Sequence, residues 1–143
     1  MATERTKAEL ETYFNTGDIP TEAQFADFIA SYENLKDGNL LVGSDPAITA
    51  FAGGGQANAY QLTKKMNEVT VVAVVNDSIK VGSALVGRVY WITNSGANAM
   101  NLYPAVGEQI SGGGANNPVS IAAGVSRRYI CVIAGDWKFN TLA

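Results

Sequence analysis

The chain contains no histidine and a single cysteine, Cys131, in 143 residues. Without histidine, Ser-His-Asp and Cys-His nucleophile systems and every His-ligated metal site are excluded. With one cysteine, so is an internal disulfide. Charge is scarce as well: Asp, Glu, Lys and Arg make up 16%, against the usual quarter. The surface must then be rich in Ala, Gly, Ser, Thr and Asn, which suits a packed assembly better than a free monomer. Long apolar runs are also missing. Runs such as residues 71–75 are far too short to span a bilayer, and residues 1–7 open no signal peptide. These absences predict a protein made in the cytoplasm that enters no membrane, holds no metal or other cofactor, and is not an enzyme.

The charge that is present divides unevenly. Residues 1–45 carry nine acids against three bases, a net −6, and residues 46–143 carry four acids against seven bases, a net +3. Such asymmetry marks two modules with different neighbours. It does not supply the clustered basic face that nucleic acid requires, so no nucleic-acid partner is expected.

The first 36 residues read as two helices. Thr6-Lys7-Ala8-Glu9 fits a capping box, Leu10, Tyr13 and Phe14 follow at helical spacing, and Gly17 sits where a terminating glycine belongs. After Asp18-Ile19-Pro20 comes a second box, Thr21-Glu22-Ala23-Gln24. Phe25, Phe28, Ile29, Tyr32 and Leu35 then form one apolar stripe, ended by Asp37-Gly38. The short connection predicts an αα-hairpin over residues 1–44. Its stripe carries more apolar surface than two short helices can hide, so the hairpin must pack on the β domain, on copies of itself or on another protein.

Residues 45–56, Pro-, Ala- and Gly-rich and ending in Gly53-Gly54-Gly55, read as a linker. Beyond it the apolar period becomes two. Strands are predicted over residues 68–75, apolar on both faces, and over 88–94, returning through Ser95-Gly96-Ala97-Asn98-Ala99 to 100–103. Another strand–turn–strand spans 119–133, and Ala134-Gly135-Asp136 turns a last hairpin onto Trp137-Lys138-Phe139. This predicts an α+β chain, with the hairpin followed by an antiparallel β-sandwich or barrel over residues 57–143. The Gly-Ala-Asn segments at 54–59, 96–99 and 113–117 are unequally spaced and read as reused turn chemistry, since a repeat array holds its period.

Each chemical candidate has a plainer reading. The glycine run lacks the spacing of a phosphate loop. Cys131, mid-strand, is a small hydrophobe, and Asn76-Asp77-Ser78 is a turn. Glu68, Asp77, Glu108 and Asp136 show no catalytic pairing. Arg127-Arg128 reads as an intersubunit contact or edge protection. Tyr90, Trp91, Tyr103, Tyr129, Trp137 and Phe139 read as core, with an exposed subset stacking on sugar rings as the functional alternative.

Two stretches carry a resemblance. Tyr13-Phe14-Asn15-Thr16-Gly17-Asp18-Ile19-Pro20-Thr21-Glu22-Ala23-Gln24-Phe25-Ala26-Asp27-Phe28-Ile29 resembles a helical module that opens many virion proteins of tailed bacteriophages. ALVGRVYWITNSGANAMNLYPAVGEQI (residues 84–110) and SIAAGVSRRYICVIAGDWKF (residues 120–139) are similar to β modules of phage head-fibre, capsid-decoration and tail-associated proteins. The resemblance implies a non-enzymatic virion protein, commonly a homotrimer. Its N-terminal part would meet the major capsid protein or another virion protein, and a β knob would lie outside. The resemblance is best in the helices, which makes Phe25, Phe28, Ile29 and Tyr32 the candidate attachment or oligomer contacts. The family offers no catalytic residues to carry over. A capsid-decoration or head-fibre subunit is the first expectation, a tail, baseplate or tail-fibre component the second, and a carbohydrate-binding module the third.

Overall fold

The computed structural model describes residues 7–13, 17, 19–31 and 43–142. The chain divides into two compact units, Met1–Leu40 and Leu41–Ala143. The first holds α1 (Lys7–Glu11) and α2 (Glu22–Ser31). α1 is only five residues long and is continued by i→i+3 bonds from the Thr12 and Tyr13 N–H groups to the Glu9 and Leu10 carbonyls. Tyr13 Oη donates to Asp27 Oδ2 of α2 at 3.4 Å. The long paired helices of the expected αα-hairpin are thus not what forms, and the chain as a whole is mostly β. Thr6, Tyr32 and Leu35 lie outside the described residues.

The second unit is a short β-solenoid. Its first rung runs from β1 (Ser44–Thr49) to β2 (Tyr60–Gln61), its second from β3 (Met66–Val71) to β4 (Ser78–Lys80), and its third from β5 (Val89–Asn94) to β6 (Met100–Tyr103). β1, β3 and β5 pair in parallel in one sheet, sheet A, and β2, β4 and β6 pair in parallel in another, sheet B. The remaining strands are β7 (Gln109–Ile110), β8 (Val119–Ile121), β9 (Ser126–Ile133) and β10 (Asp136–Leu142). β9 lies antiparallel to β5 and β10 antiparallel to β9, β8 lies antiparallel to β6, and β7 pairs in parallel with β10. Antiparallel strands therefore cover the last parallel edge of each sheet, so neither third rung is left as an open template.

This overturns the antiparallel sandwich or barrel. The reason lies in the corners. Ser95 to Ala99 was expected to return β5 beside itself, but it carries the chain across from sheet A to sheet B. Side-chain amides hold that corner: Asn94 Nδ2 donates to the Asn98 and Ile121 carbonyls at 2.9 Å, and Asn94 Oδ1 accepts from the Gly96 N–H at 3.0 Å. Asn98 Nδ2 in turn donates to the Val72 and Ala73 carbonyls of the rung before. That earlier corner closes on Asp77, whose Oδ2 accepts from the Ala73 and Val74 N–H groups at 2.8 and 3.1 Å. β3 accordingly ends at Val71, and the expected strand over 68–75 is half strand, half corner. Buried polar side chains thus carry backbone groups round each bend that no strand could pair.

Two further readings change with the topology. Residues 45–56 do not form a simple linker: most of β1 lies there, Ile48 and Ala50 enter the core, and Phe51 bridges Ser78. A repeat also exists, but in the strands. Ser44 pairs with Met66, 22 residues on, and Met66 with Trp91, 25 residues on, so the period is uneven. Arg127 and Arg128 guard no edge, because β9 lies between β5 and β10.

One core fills the solenoid. Ile48, Val69 and Ile92 of sheet A join Ile79, Leu102 and Ile121 of sheet B, and Tyr90, Tyr129 and Trp137 complete it. The Tyr90 and Trp137 rings lie 5.4 Å apart at 59°, a tilted aromatic pair. The final hairpin, β9 to β10 through Gly135 at φ +79, forms as expected. Cys131 is buried mid-strand, and burial pushes its thiol pKa up.

Burial likewise pushes the pKa of Tyr90 and Tyr129 up. A phenol whose folded pKa exceeds the unfolded value near 10 contributes stability that is complete below that value and lost as pH rises through the folded one. We expect the contribution of these two tyrosines to be constant up to pH about 10 and the β unit to lose stability above it. Two of the six tyrosines should ionise only with unfolding. Absorbance at 295 nm followed alongside circular dichroism checks this; full tyrosine titration with the fold intact would refute it.

Candidate functional site

α2 is started by the sequence as expected. Gln24 N–H donates to Thr21 Oγ1 at 3.3 Å and the Thr21 N–H donates to Gln24 Oε1 at 2.8 Å, a reciprocal capping box. Phe25, Phe28 and Ile29 follow at i, i+3 and i+4, hence on one face. Phe25 is 48%, Phe28 37% and Ile29 69% exposed, so that face is partly accessible. Asp27 is the buried member of the helix, with Tyr13 as its donor. α2 thus shows aromatic surface outward and tucks a carboxylate inward, the reverse of an ordinary amphipathic helix. The fourth candidate contact, Tyr32, lies outside the described residues.

Among the large apolar side chains that the β unit leaves exposed, two groups stand together. Phe51, Val71, Val74 and Val75 sit where β1 and β3 end. Leu85, Val86, Val132 and Ile133 sit at the opposite end of sheet A, where β5 begins and β9 finishes. The Gly87 N–H donates to the Cys131 carbonyl at 2.8 Å and Gly135 N–H to Ala84 at 3.2 Å, which draws these four side chains' segments together. Monomers seldom show apolar groupings of this kind without a use for them.

The outer face of sheet A also carries a hollow of about 260 Å³. Side chains alternate across β5, so Tyr90, Ile92 and Asn94 point into the core while Trp91 and Thr93 point out. Cross-strand register then puts Met66 beside Trp91, Glu68 beside Thr93, and Ser126 on the far side of Thr93. Thr93 Oγ1 and Ser126 Oγ lie 2.9 Å apart, and Glu68 Oε1 accepts from Ser95 Oγ at 2.8 Å. Asp45 closes the β1 side, where its Oδ2 accepts from Tyr60 Oη at 3.1 Å, and that bond raises the Tyr60 pKa. The Arg128 guanidinium lies 5.7 Å from the Trp91 ring centre, in cation–π range.

Comparison with protein-family models, with curated proteins and with solved structures finds no match to this chain.

Trp91 and Trp137, both read first as core, separate: Trp137 is buried, whereas Trp91 lines the hollow. Arg127 bridges to β8, donating to the Ser120 carbonyl at 2.8 Å and lying 4.6 Å from the Phe139 ring centre. The hollow itself escaped the sequence. The alternation in Val-Tyr-Trp-Ile-Thr-Asn assigns Trp91 to a face, but the neighbours of that face come from strands 25 to 35 residues away.

Proposed function

We propose that this chain is a non-enzymatic structural subunit of a tailed-bacteriophage particle, a capsid-decoration or head-fibre protein that assembles as a homotrimer. The observation that carries the reading is the pair of exposed aliphatic groups at opposite ends of sheet A. Two different patches on one subunit favour a head-to-tail contact, which closes into a ring when the rotation permits. The low charge of the chain and the sequence resemblance point the same way. The acidic N-terminal unit, through Phe25, Phe28, Ile29 and Tyr32, is the docking element toward the particle, and the β unit is the part displayed.

Light scattering at about 10 μM should return a trimer, since obligate contacts of this kind are large and apolar. Ile133→Glu places a charge on a side chain already 62% exposed, so the subunit should stay folded while the trimer dissociates, its melting temperature falling only by what the contact contributed. A wild-type monomer at that concentration would refute the assembly. Locating the protein in a particle map would separate a head position from a tail or baseplate one.

A further inference from the structure

We infer that the hollow on the outer face of sheet A is a binding site for a neutral saccharide. Three features converge there. Trp91 offers a flat apolar surface, with Met66 beside it, for the C–H face of a sugar ring. Glu68 supplies a carboxylate, an acceptor suited to sugar hydroxyls, with Oε1 fixed by the Ser95 hydroxyl. Thr93 and Ser126 add two hydroxyls that switch between donor and acceptor at no cost in charge. This mix of one aromatic platform and a few convergent polar groups is the ordinary make-up of a small-ligand site.

Size and charge narrow the class. At about 260 Å³ the hollow is smaller than the 300–1,000 Å³ of drug-sized pockets, so it takes one sugar ring with its chain running out over the sheet. On this face Glu68 is balanced by Arg128, whose guanidinium lies within cation–π range of the indole, while the Asp45 carboxylate is turned to Tyr60 of the other sheet. With one charge of each sign, the face has no excess charge to hold an ionic ligand, and a neutral one fits it. The strands that frame the site belong to the rigid β unit, so it is built before the ligand arrives.

The two tryptophans make the test clean. Trp137 is fully buried and Trp91 lines the hollow, so a ligand-dependent change in emission reports on Trp91. The full chain is titrated with linear trisaccharides of glucose, mannose, galactose and N-acetylglucosamine, followed by fluorescence and by saturation-transfer NMR. At least one series should bind saturably, with little change between low and high salt because no ionic contact is made. Trp91→Ala and Trp91→Phe should weaken binding by about tenfold or more, and Glu68→Gln by several-fold. The near-UV signal of Trp137 shows that each variant is folded. No saturable binding by any series overturns the proposal, as does binding that survives Trp91→Ala. Steep salt dependence overturns it in favour of an ionic ligand. Emission that tracks protein concentration alone overturns it in favour of a second copy on this face. None of these outcomes depends on whether the chain belongs to a virion.

Discussion

Gly96→Ala is expected to destabilise the β unit by about 3 kcal/mol and to lower its melting temperature by about 15 °C. Gly96 does not have a left-handed φ, so the backbone would accept alanine. Space forbids it. A Cβ at this position would lie 2.7 Å from Val72 Cγ2, 2.8 Å from Val72 N and 2.9 Å from Val72 Cβ. One of those three atoms is backbone, and Val72 also gives its carbonyl to Asn98 Nδ2. Relief of the clash must therefore separate the second and third corners and break the amide bridge between them. Val72→Ala in the same chain removes Cγ2 but leaves N and Cβ, so it should rescue only part of the loss, a direct coupling between rungs. Gly107 provides the contrast. It sits at φ +84 with nothing within 4 Å of a Cβ, so Gly107→Ala should cost only the left-handed penalty of about 1 kcal/mol. Thermal denaturation followed by circular dichroism measures all three. A Gly96→Ala protein that melts within about 2 °C of wild type would mean the rungs are not held at this spacing.

The same corner explains what could and could not be read in advance. Most strands were legible, because alternation is written into short windows such as Val-Tyr-Trp-Ile-Thr-Asn of β5. So was the start of α2, since Thr21 and Gln24 cap within one turn. Pairing was not legible. A five-residue Gly-Asn segment between two strands has the composition of a hairpin loop, and only Asn94 and Asn98 bonding to another rung turns it into a corner. β1 was hidden for a similar reason: Pro46 and three small residues in Ser-Asp-Pro-Ala-Ile-Thr look like a linker, and its place at the sheet edge is what tolerates the proline. The repeat was hidden because corners of unequal length spread 22 residues in one rung to 25 in the next. The hollow depends on register between five strands, which no window of sequence contains.

Separating the two units is expected to separate stability from attachment. Every residue of the buried core lies between Ile48 and Trp137, within the second unit. A chain of residues 43–143 keeps both tryptophans and all ten strands, and at about 100 residues it is long enough to fold alone. It should melt within a few degrees of the full-length protein. On the reading proposed above, it should also fail to join particles that lack the protein. In the full chain, Phe28→Asp tests the same contact without deletion. Phe28 is 37% exposed, so an aspartate there reaches solvent in the free subunit, and circular dichroism of the variant checks that α2 still forms. Docking then closes an apolar surface over an unpaired carboxylate, which costs several kcal/mol, or about a thousandfold in occupancy at limiting concentration. Phe28→Leu keeps the apolar face and should retain most of the binding. Sedimentation of particles with labelled protein measures each variant. Wild-type occupancy by residues 43–143 would place the attachment surface in the β unit, and the aromatic face of α2 would then belong to contacts between subunits.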